Sequence, residues 1–194
     1  MIRNLSIEEI YEHYRQLVRR YAPLEGRILK TDAYNEAVGG YKHLECWPDG
    51  NAVTYLELDP NIVAKANLCY PTRDFRLGDI RHIPFPDNYF AAIFDLSTID
   101  HIPQTDVPMA IEEYARTLCP GGYLVMVVWC SKEKEVEPAE WDGPQYFHQH
   151  RELMDTIHKP FAFATYEAFH QSGQHFLVEV VACKQGNTDA TIAT

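Results

Sequence analysis

Apolar residues follow two alternating patterns along this chain, continuous runs and recurrences at helical spacing. Ser6 is a typical helix-capping residue, and apolar positions every three or four residues after it predict an amphipathic helix within residues 1–24. Runs that predict strands lie at residues 27–31, 53–58, 75–79, 90–97 and 123–129. Further helical patterns lie at residues 32–44, 61–68 and 106–118.

The last third of the chain lacks the alternation of strands and helices that is predicted for the rest. Residues 131–145 are acidic and contain two prolines, which predicts a surface loop, and residues 147–158 have a helical pattern. Two strand-like segments, 162–169 and 176–184, flank a polar turn that contains Gly173, which predicts an antiparallel hairpin. The final residues, 185–194, resemble a disordered tail.

The order of these elements indicates the fold class. Strands that alternate with helices predict an α/β protein with a mostly parallel sheet and helices on both faces. The 194-residue length, with 46% apolar residues, fits one domain with its own core, which we place at residues 1–184.

The run Val53–Leu58 indicates a binding site. It is a buried strand that carries Glu57 close to its carboxyl end, and Pro60 then opens a helical pattern. Open α/β sheets bind ligands at the carboxyl ends of their strands. A carboxylate there can accept hydrogen bonds from both hydroxyl groups of a ribose, so the pattern predicts a ligand that contains a nucleoside.

Charge and cysteine content exclude several other classes. A net charge of −11 and a pI near 5.2 argue against strong nonspecific binding to nucleic acids or anionic membranes. The five cysteines lack a CxxC pair and indicate neither a disulfide framework nor a metal site, which favours a reduced, cytoplasmic setting. No apolar run reaches about 18 residues, and residues 1–6 lack the apolar core of a signal peptide. The oligomeric state is left open.

Four segments, the last of them the late hairpin, together resemble the class I S-adenosylmethionine-dependent methyltransferases, in particular their small type 11 members. VTYLELDP at 53–60 resembles the second-strand motif of that family. RLGDIRHIPFPDNYFAAIFDLSTIDHIP at 76–103 resembles its third strand, a proline-rich loop and the fourth strand. EEYARTLCPGGYLVMVVW at 112–129 resembles a helix, a turn and the fifth strand. The resemblance implies a Rossmann-like fold with a seven-stranded sheet, in which the late hairpin supplies a reversed strand.

The resemblance also implies roles for individual residues. S-adenosylmethionine would be the cofactor, with Glu57 on its ribose, and Asp79 and Ile80 on its adenine. Leu58 and Asp59 would line the adenine edge, and Ser97 would lie near the transferred methyl group. At the other end of the cofactor, Asp32 would pair with the ammonium group and Lys30 would approach the carboxylate. An N-cap role is the alternative for Asp32.

The sequence defines the residues of the methyl-acceptor site less closely than those of the cofactor site. Asp100 or His101, after the fourth strand, could act as a catalytic base, although methyl transfer often needs only alignment of the two reactants. Acceptor-site residues are expected in the N-terminal helix and in residues 131–160. Trp129, Tyr146 and Phe147 could form a wall of that site.

One segment departs from the family pattern. A glycine-rich turn is expected after the first strand, but residues 30–36 read KTDAYNE and contain no glycine. Either side chains such as Asp32, Asn35 and Glu36 replace the backbone contacts, or the cofactor no longer binds. Three functions therefore stay open. The first is methyl transfer to an O or N acceptor, which could be a small molecule, a sugar or a group on a macromolecule. The others are an inactive relative that serves as a binding or scaffold subunit, and another enzyme on this scaffold that uses S-adenosylmethionine or a nucleotide.

Overall fold

A nine-stranded sheet forms the centre of the protein. The computed structural model describes residues 4–40, 46–47, 51–132, 136–141 and 143–186, without the side chains of 51, 136–141, 143–144 and 163. The strands are β1 Gly26–Lys30, β2 Asn51–Glu57, β3 Asp74–Leu77, β4 Phe90–Leu96, β5 Leu118–Ser131, β6 Val136–Trp141, β7 Gly143–Gln149, β8 Phe163–Ser172 and β9 His175–Cys183.

Helices connect these strands and cover the sheet. They are α1 Ile7–Tyr21, α2 Tyr34–Ala37, α3 Pro60–Cys69, α4 Val107–Thr117 and α5 His150–Ile157, with a short 3₁₀ turn at Ile99–His101. Helix α1 begins at a capping box, in which Ser6 Oγ accepts from the Glu9 N–H and the Glu9 carboxylate accepts from the Ser6 N–H. The predicted N-terminal helix is therefore confirmed.

The strand order confirms the predicted fold class. Strands β3, β2, β1, β4 and β5 lie side by side and are parallel. The β8–β9 hairpin continues the sheet, with β9 antiparallel to both β5 and β8. These seven strands match the predicted sheet, and β6 and β7 are additional. The parallel strands bring their carboxyl ends to one edge, where a ligand site is expected.

Two apolar layers hold the sheet between the helices. One layer contains Ile93 of β4 and packs against Tyr114 of α4 and Leu153 of α5. The opposite layer contains Phe94 of β4 and packs against Tyr14 of α1. Adjacent residues of β4 thus face opposite layers, as the period of a strand requires.

Residues 131–149 differ from the prediction. The predicted surface loop contains β6 and the first three residues of β7, which pair antiparallel, and β7 also pairs with the end of β5 at Cys130 and Ser131. The predicted helix over 147–158 begins only at His150, because Phe147 and His148 belong to β7. The prediction for the tail after residue 186 lies outside the described residues.

Smaller differences concern two other segments. The helix predicted over 32–44 is the single turn α2, Tyr34–Ala37, and residues 41–45 lie outside the described part of the chain. The turn predicted at Pro120–Gly122 lies within β5 as an irregularity, since Phe90 pairs with Leu118 and Ala92 next pairs with Tyr123. In the described segments, no helix is long and apolar enough to cross a bilayer.

Candidate functional site

A cavity of about 830 Å³ lies at the carboxyl edge of the sheet. One end lies against the tips of β1, β2 and β3, where acidic side chains collect. The other end is bounded by α1, β7 and the β8–β9 hairpin. A volume of this size falls in the range of small-molecule sites.

Glu57 lies in the cavity wall at the end of β2. Its Oε2 accepts from the Ala33 N–H at 3.1 Å and its Oε1 accepts from the Asp59 N–H at 3.0 Å. A carboxylate has about four lone-pair positions, so each oxygen keeps acceptor capacity for a ligand hydroxyl. Glu57 therefore both braces the two strand-end turns and faces the cavity.

The turn after β1 is built from side-chain contacts. The fully buried Lys30 Nζ donates to Asp32 Oδ2 at 2.7 Å and to the Asp32 carbonyl at 2.8 Å, and it lies 3.4 Å from Glu36 Oε2. Asp32 Oδ1 accepts from the Tyr34 N–H at 3.2 Å. Burial acts to lower the pKa of Lys30, but the Asp32 and Glu36 carboxylates outweigh it and raise that pKa. Lys30 is therefore a charged, fixed part of this turn.

This geometry bears on the predictions for the turn. Asp32 lines the cavity, whereas Lys30 lies beneath it and is not part of the described wall. The proposed contact of Lys30 with a cofactor carboxylate stays a prediction. The backbone N–H groups of Ala33 and Tyr34 are already bonded to side chains.

Asp79 follows β3 and is held by Arg81. The Arg81 guanidinium donates to both Asp79 oxygens, at 2.6 to 3.1 Å, and the Arg81 N–H donates to Oδ1 at 2.8 Å. The same guanidinium reaches Asp106 Oδ2 at 2.7 Å. Hydrogen bonds from Arg81 hold the pKa of Asp79 below its ordinary value. Asp79 is thus an ionised residue of the cavity wall, and the Arg81 guanidinium already occupies part of the hydrogen-bonding capacity of its carboxylate.

The loop after β4 has a strained backbone at Ser97. Ser97 has a φ of 70°, which is unusual for a residue other than glycine. Asp95 fixes the following turn, because its Oδ1 accepts from the N–H groups of Thr98 and Ile99 while Tyr114 donates to its Oδ2 at 2.6 Å. Burial raises the pKa of Asp95 to about 6. Strain held in place this way is typical of functional sites.

The two predicted base residues lie in different surroundings. Asp100 is fully buried, and its Oδ1 accepts from the Trp129 N–H at 2.9 Å. Burial raises the pKa of Asp100 well above the ordinary value. His101 is exposed and lines the cavity, whereas Asp100 is not among the described wall residues. The geometry therefore favours a structural role for Asp100, and the catalytic role of either residue stays a prediction.

An aromatic chamber, defined here by Trp129, Phe147, His170, His175 and Leu177, forms the other end of the cavity. The rings of Phe147 and His175 stack at 3.7 Å, and the Trp129 ring meets the His170 ring edge to face at 5.4 Å. The predicted wall residues Trp129 and Phe147 are part of it. Tyr146 is not among the described wall residues.

Sequence reasoning predicted ten cofactor-binding or catalytic residues, and eight of them line the cavity. The predicted residues that line the cavity are Asp32, Glu57, Leu58, Asp59, Asp79, Ile80, Ser97 and His101. It missed Arg81, Tyr14, His170 and His175. Tyr14 Oη lies 2.6 Å from Ser97 Oγ. Tyr14 appeared only as one more inward position of α1, and the spacing of Arg81 two residues after Asp79 was the one usable signal.

Comparison with known proteins finds a family model that matches part of this chain. Residues 37–126 match the methyltransferase domain family. A probable tocopherol O-methyltransferase of Oryza sativa subsp. japonica, described as chloroplastic, is 33% identical over 66 residues, which are 34% of this chain and 17% of that protein. The match thus covers a third of this chain and a small part of that relative.

Two solved structures share the fold at low identity. The cyclase SpnF has a TM-score of 0.70 at 16% identity, over 93% of this chain and 82% of its own. Geranyl diphosphate C-methyltransferase from Streptomyces coelicolor A3(2), solved with S-adenosyl-L-homocysteine, has a TM-score of 0.69 at 12% identity, over 91% and 80%. The predicted fold is confirmed, and the match over residues 37–126 supports the predicted family.

Proposed function

We propose that this chain, which has a methyltransferase fold and matches the methyltransferase domain family over residues 37–126, transfers the methyl group of S-adenosylmethionine to an oxygen or nitrogen atom of a small acceptor. The observation that carries the proposal is Glu57, which lies at the tip of β2 in the cavity wall and keeps acceptor capacity on both oxygens. A pair of ribose hydroxyls is the ligand group that suits such a carboxylate.

The residues present fit this cofactor. Carboxylates at the acidic end, from Asp32, Glu57, Asp59 and Asp79, suit a ligand with an ammonium group, a sulfonium centre and hydroxyl donors. Lys30 balances part of the negative charge from beneath the wall. Because the Ala33 and Tyr34 amides are engaged by side chains, the turn would contact the amino-acid end of the cofactor through Asp32 rather than through free backbone groups.

Catalysis would rest mainly on alignment. When bound, S-adenosylmethionine supplies a methyl group on a positively charged sulfur that departs as a neutral thioether. The acidic end would hold the cofactor and the aromatic chamber would hold the acceptor, so that the acceptor lone pair faces the methyl carbon. His101 is the wall residue placed to take a proton from a neutral acceptor, and an acceptor that is already an anion needs no base.

Calorimetric titration of S-adenosylmethionine, with mass spectrometry of any ligand that copurifies, tests this proposal. We expect saturable binding with one site per chain. An absence of binding at millimolar concentration for both S-adenosylmethionine and its demethylated product contradicts it.

One observation favours a second candidate, a binding subunit without catalysis. The amides of the turn after β1 are occupied by Glu57 and Asp32, so no glycine-type backbone cradle is present at residues 32–34. This candidate predicts that the protein binds the demethylated product and that no methylated compound forms in a metabolite extract supplied with labelled S-adenosylmethionine.

Asp32→Asn should separate the two ends of the cofactor. Replacing the charged acceptor should weaken S-adenosylmethionine about tenfold, because its ammonium group loses an ionic partner, and should leave adenosine nearly unaffected. Competition binding measures both. An equal loss for both ligands assigns Asp32 to the structure of the turn, through its bonds to Lys30 and Tyr34.

Asp79 should set a modest preference for adenine. S-adenosylhomocysteine should bind roughly three- to tenfold more tightly than S-inosylhomocysteine, which lacks the exocyclic amine. The effect is modest because Arg81 already occupies much of the Asp79 carboxylate. Asp79→Asn should reduce the preference, whereas equal binding of both ligands to wild-type protein removes Asp79 from adenine recognition.

The setting of the protein is part of the proposal. We place it in a reducing compartment such as the cytoplasm because the sequence has no CxxC pair and its five cysteines form no disulfide in the described part of the chain. Its partners would be the cofactor and a small acceptor, without a membrane or nucleic-acid surface.

A further inference from the structure

His170 faces the cavity because of an irregularity in β8. Ala168 pairs with Val178 and His170 pairs with Leu177, so Phe169 is an extra residue in the ladder. Ala168 packs against the layer of α4 and α5. In a regular ladder without this bulge, His170 would face the same way as Ala168, because residues two apart in a strand share a face.

Both residues after Ala168 lie on the side of α1. The Phe169 ring stacks on His13 of α1 at 4.0 Å. The His170 ring accepts at Nδ1 from the N–H of Leu5, just before α1, at 2.8 Å. The bulge thus turns His170 from the α5 side of the hairpin to the cavity, and such irregularities are common beside active sites.

The Leu5 contact defines the tautomer of His170. A backbone N–H can only donate, so Nδ1 must carry the lone pair. Burial lowers the pKa of His170, which favours the neutral ring at pH 7. The ring proton therefore resides on Nε2, and His170 presents a hydrogen-bond donor rather than a base.

The surroundings of His170 indicate what this donor meets. His170 is only 4% exposed, yet it lines the cavity. The other members of the aromatic chamber, Trp129, Phe147, His175 and Leu177, offer rings and hydrocarbon and no carboxylate. Aromatic walls suit an apolar, ring-bearing ligand, and a buried donor requires an acceptor atom on it.

We propose that His170 binds the methyl acceptor: its Nε2–H donates to an oxygen atom of an apolar, ring-bearing molecule in the aromatic chamber, while its Nδ1 holds Leu5. This inference rests on the proposed function in assigning the chamber to the acceptor. The His170 ring would thereby contact both the segment before α1, through Leu5, and the bound acceptor.

Two variants separate the two nitrogens of His170. In His170→Asn, the amide oxygen replaces Nδ1 as the acceptor for Leu5, and the donor at the Nε2 position is lost. In His170→Gln, the amide nitrogen reaches about as far as Nε2, and the contact with Leu5 is lost. Hydrogen exchange of the Leu5 amide should therefore quicken in His170→Gln and stay near wild type in His170→Asn.

The probes are 2-methoxynaphthalene and 2-ethylnaphthalene, which have nearly the same shape and differ by an oxygen that can only accept. Binding to the protein without cofactor is followed by fluorescence anisotropy of the naphthyl group. We expect wild-type protein and His170→Gln to prefer the methoxy compound about tenfold, and His170→Asn to bind both equally. Thermal melting checks that each variant is folded.

Two outcomes overturn the inference: an unchanged preference in His170→Asn, or no binding of either probe to wild-type protein. Neither outcome affects the binding of S-adenosylmethionine, which is titrated separately. Conversely, a preference that depends on His170 in a protein that does not bind S-adenosylmethionine would support the oxygen site and contradict methyl transfer.

Discussion

Glu57→Ala should weaken S-adenosylmethionine binding roughly 10- to 100-fold, the equivalent of about 1.5–3 kcal/mol. The variant removes a half-buried carboxylate that faces the cavity and would accept from the ribose hydroxyls. It also removes the acceptor for the Ala33 and Asp59 amides, so the two turns beside the cofactor lose their brace. Calorimetry with folded protein measures the change.

A ligand control separates ribose recognition from the brace. Wild-type protein should prefer S-adenosylhomocysteine over its 2′-deoxy analogue, and Glu57→Ala should bind the two alike if the hydroxyl is bound by Glu57. Glu25→Ala removes an exposed carboxylate just before β1, at the opposite edge of the sheet, and should bind as wild type does. A 2′-deoxy penalty that persists in Glu57→Ala assigns the hydroxyl to another residue.

The acidic end of the site was predictable because its signals are local. A buried parallel strand is a continuous apolar run, and its carboxyl end lies at the ligand edge whatever the rest of the chain does. Val53 to Glu57 carries both signals, and the strand places Glu57 in the cavity wall. The same argument led to Asp79, although its bond to Arg81 was not visible in the pattern.

The aromatic chamber was predictable only in part, because its strands pair with distant partners. Residues 143–149 form β7 through contacts with β6 and with the end of β5. The alternation was present, since Phe147 lines the cavity while His148 is buried and bonded to Gln104 and Ile99. In a segment of seven residues, the two-residue alternation of a strand cannot be distinguished from the spacing of a helix.

His170 and Lys30 show two further reasons why parts of the site were not predicted from the sequence. The bulge that turns His170 depends on the register of β8 against β9, which a single sequence does not encode visibly. The sequence predicted Lys30 as a cofactor-facing lysine and not as a buried one, because burial of a lysine requires counter-charges that only the folded turn supplies. Asp32 and Glu36 supply them from the next few residues.

Lys30→Met should lower the free energy of unfolding by about 3–5 kcal/mol, the usual cost of removing one partner from a buried ion pair. Methionine fills a similar volume, so the loss comes from charge rather than from a cavity. Glu36, which is fully buried, and Asp32 would then lack the cation that faces both of them. Urea denaturation at pH 7 measures the difference.

The double variant Lys30→Met with Glu36→Met distinguishes charge from packing. It removes the cation together with the fully buried carboxylate, so we expect it to regain much of the stability that the single variant loses. The deficit of Lys30→Met should also shrink as the pH falls toward 4, because protonation of the two carboxylates in that variant removes the negative charge that Lys30 no longer balances. Lys65→Met, on the exposed side of α3, should change stability by less than about 0.5 kcal/mol. Equal losses in the single and double Lys30 variants at every pH would mean that Lys30 stabilises the turn through packing of its side chain, and the glycine-free turn after β1 would then not depend on an ion pair.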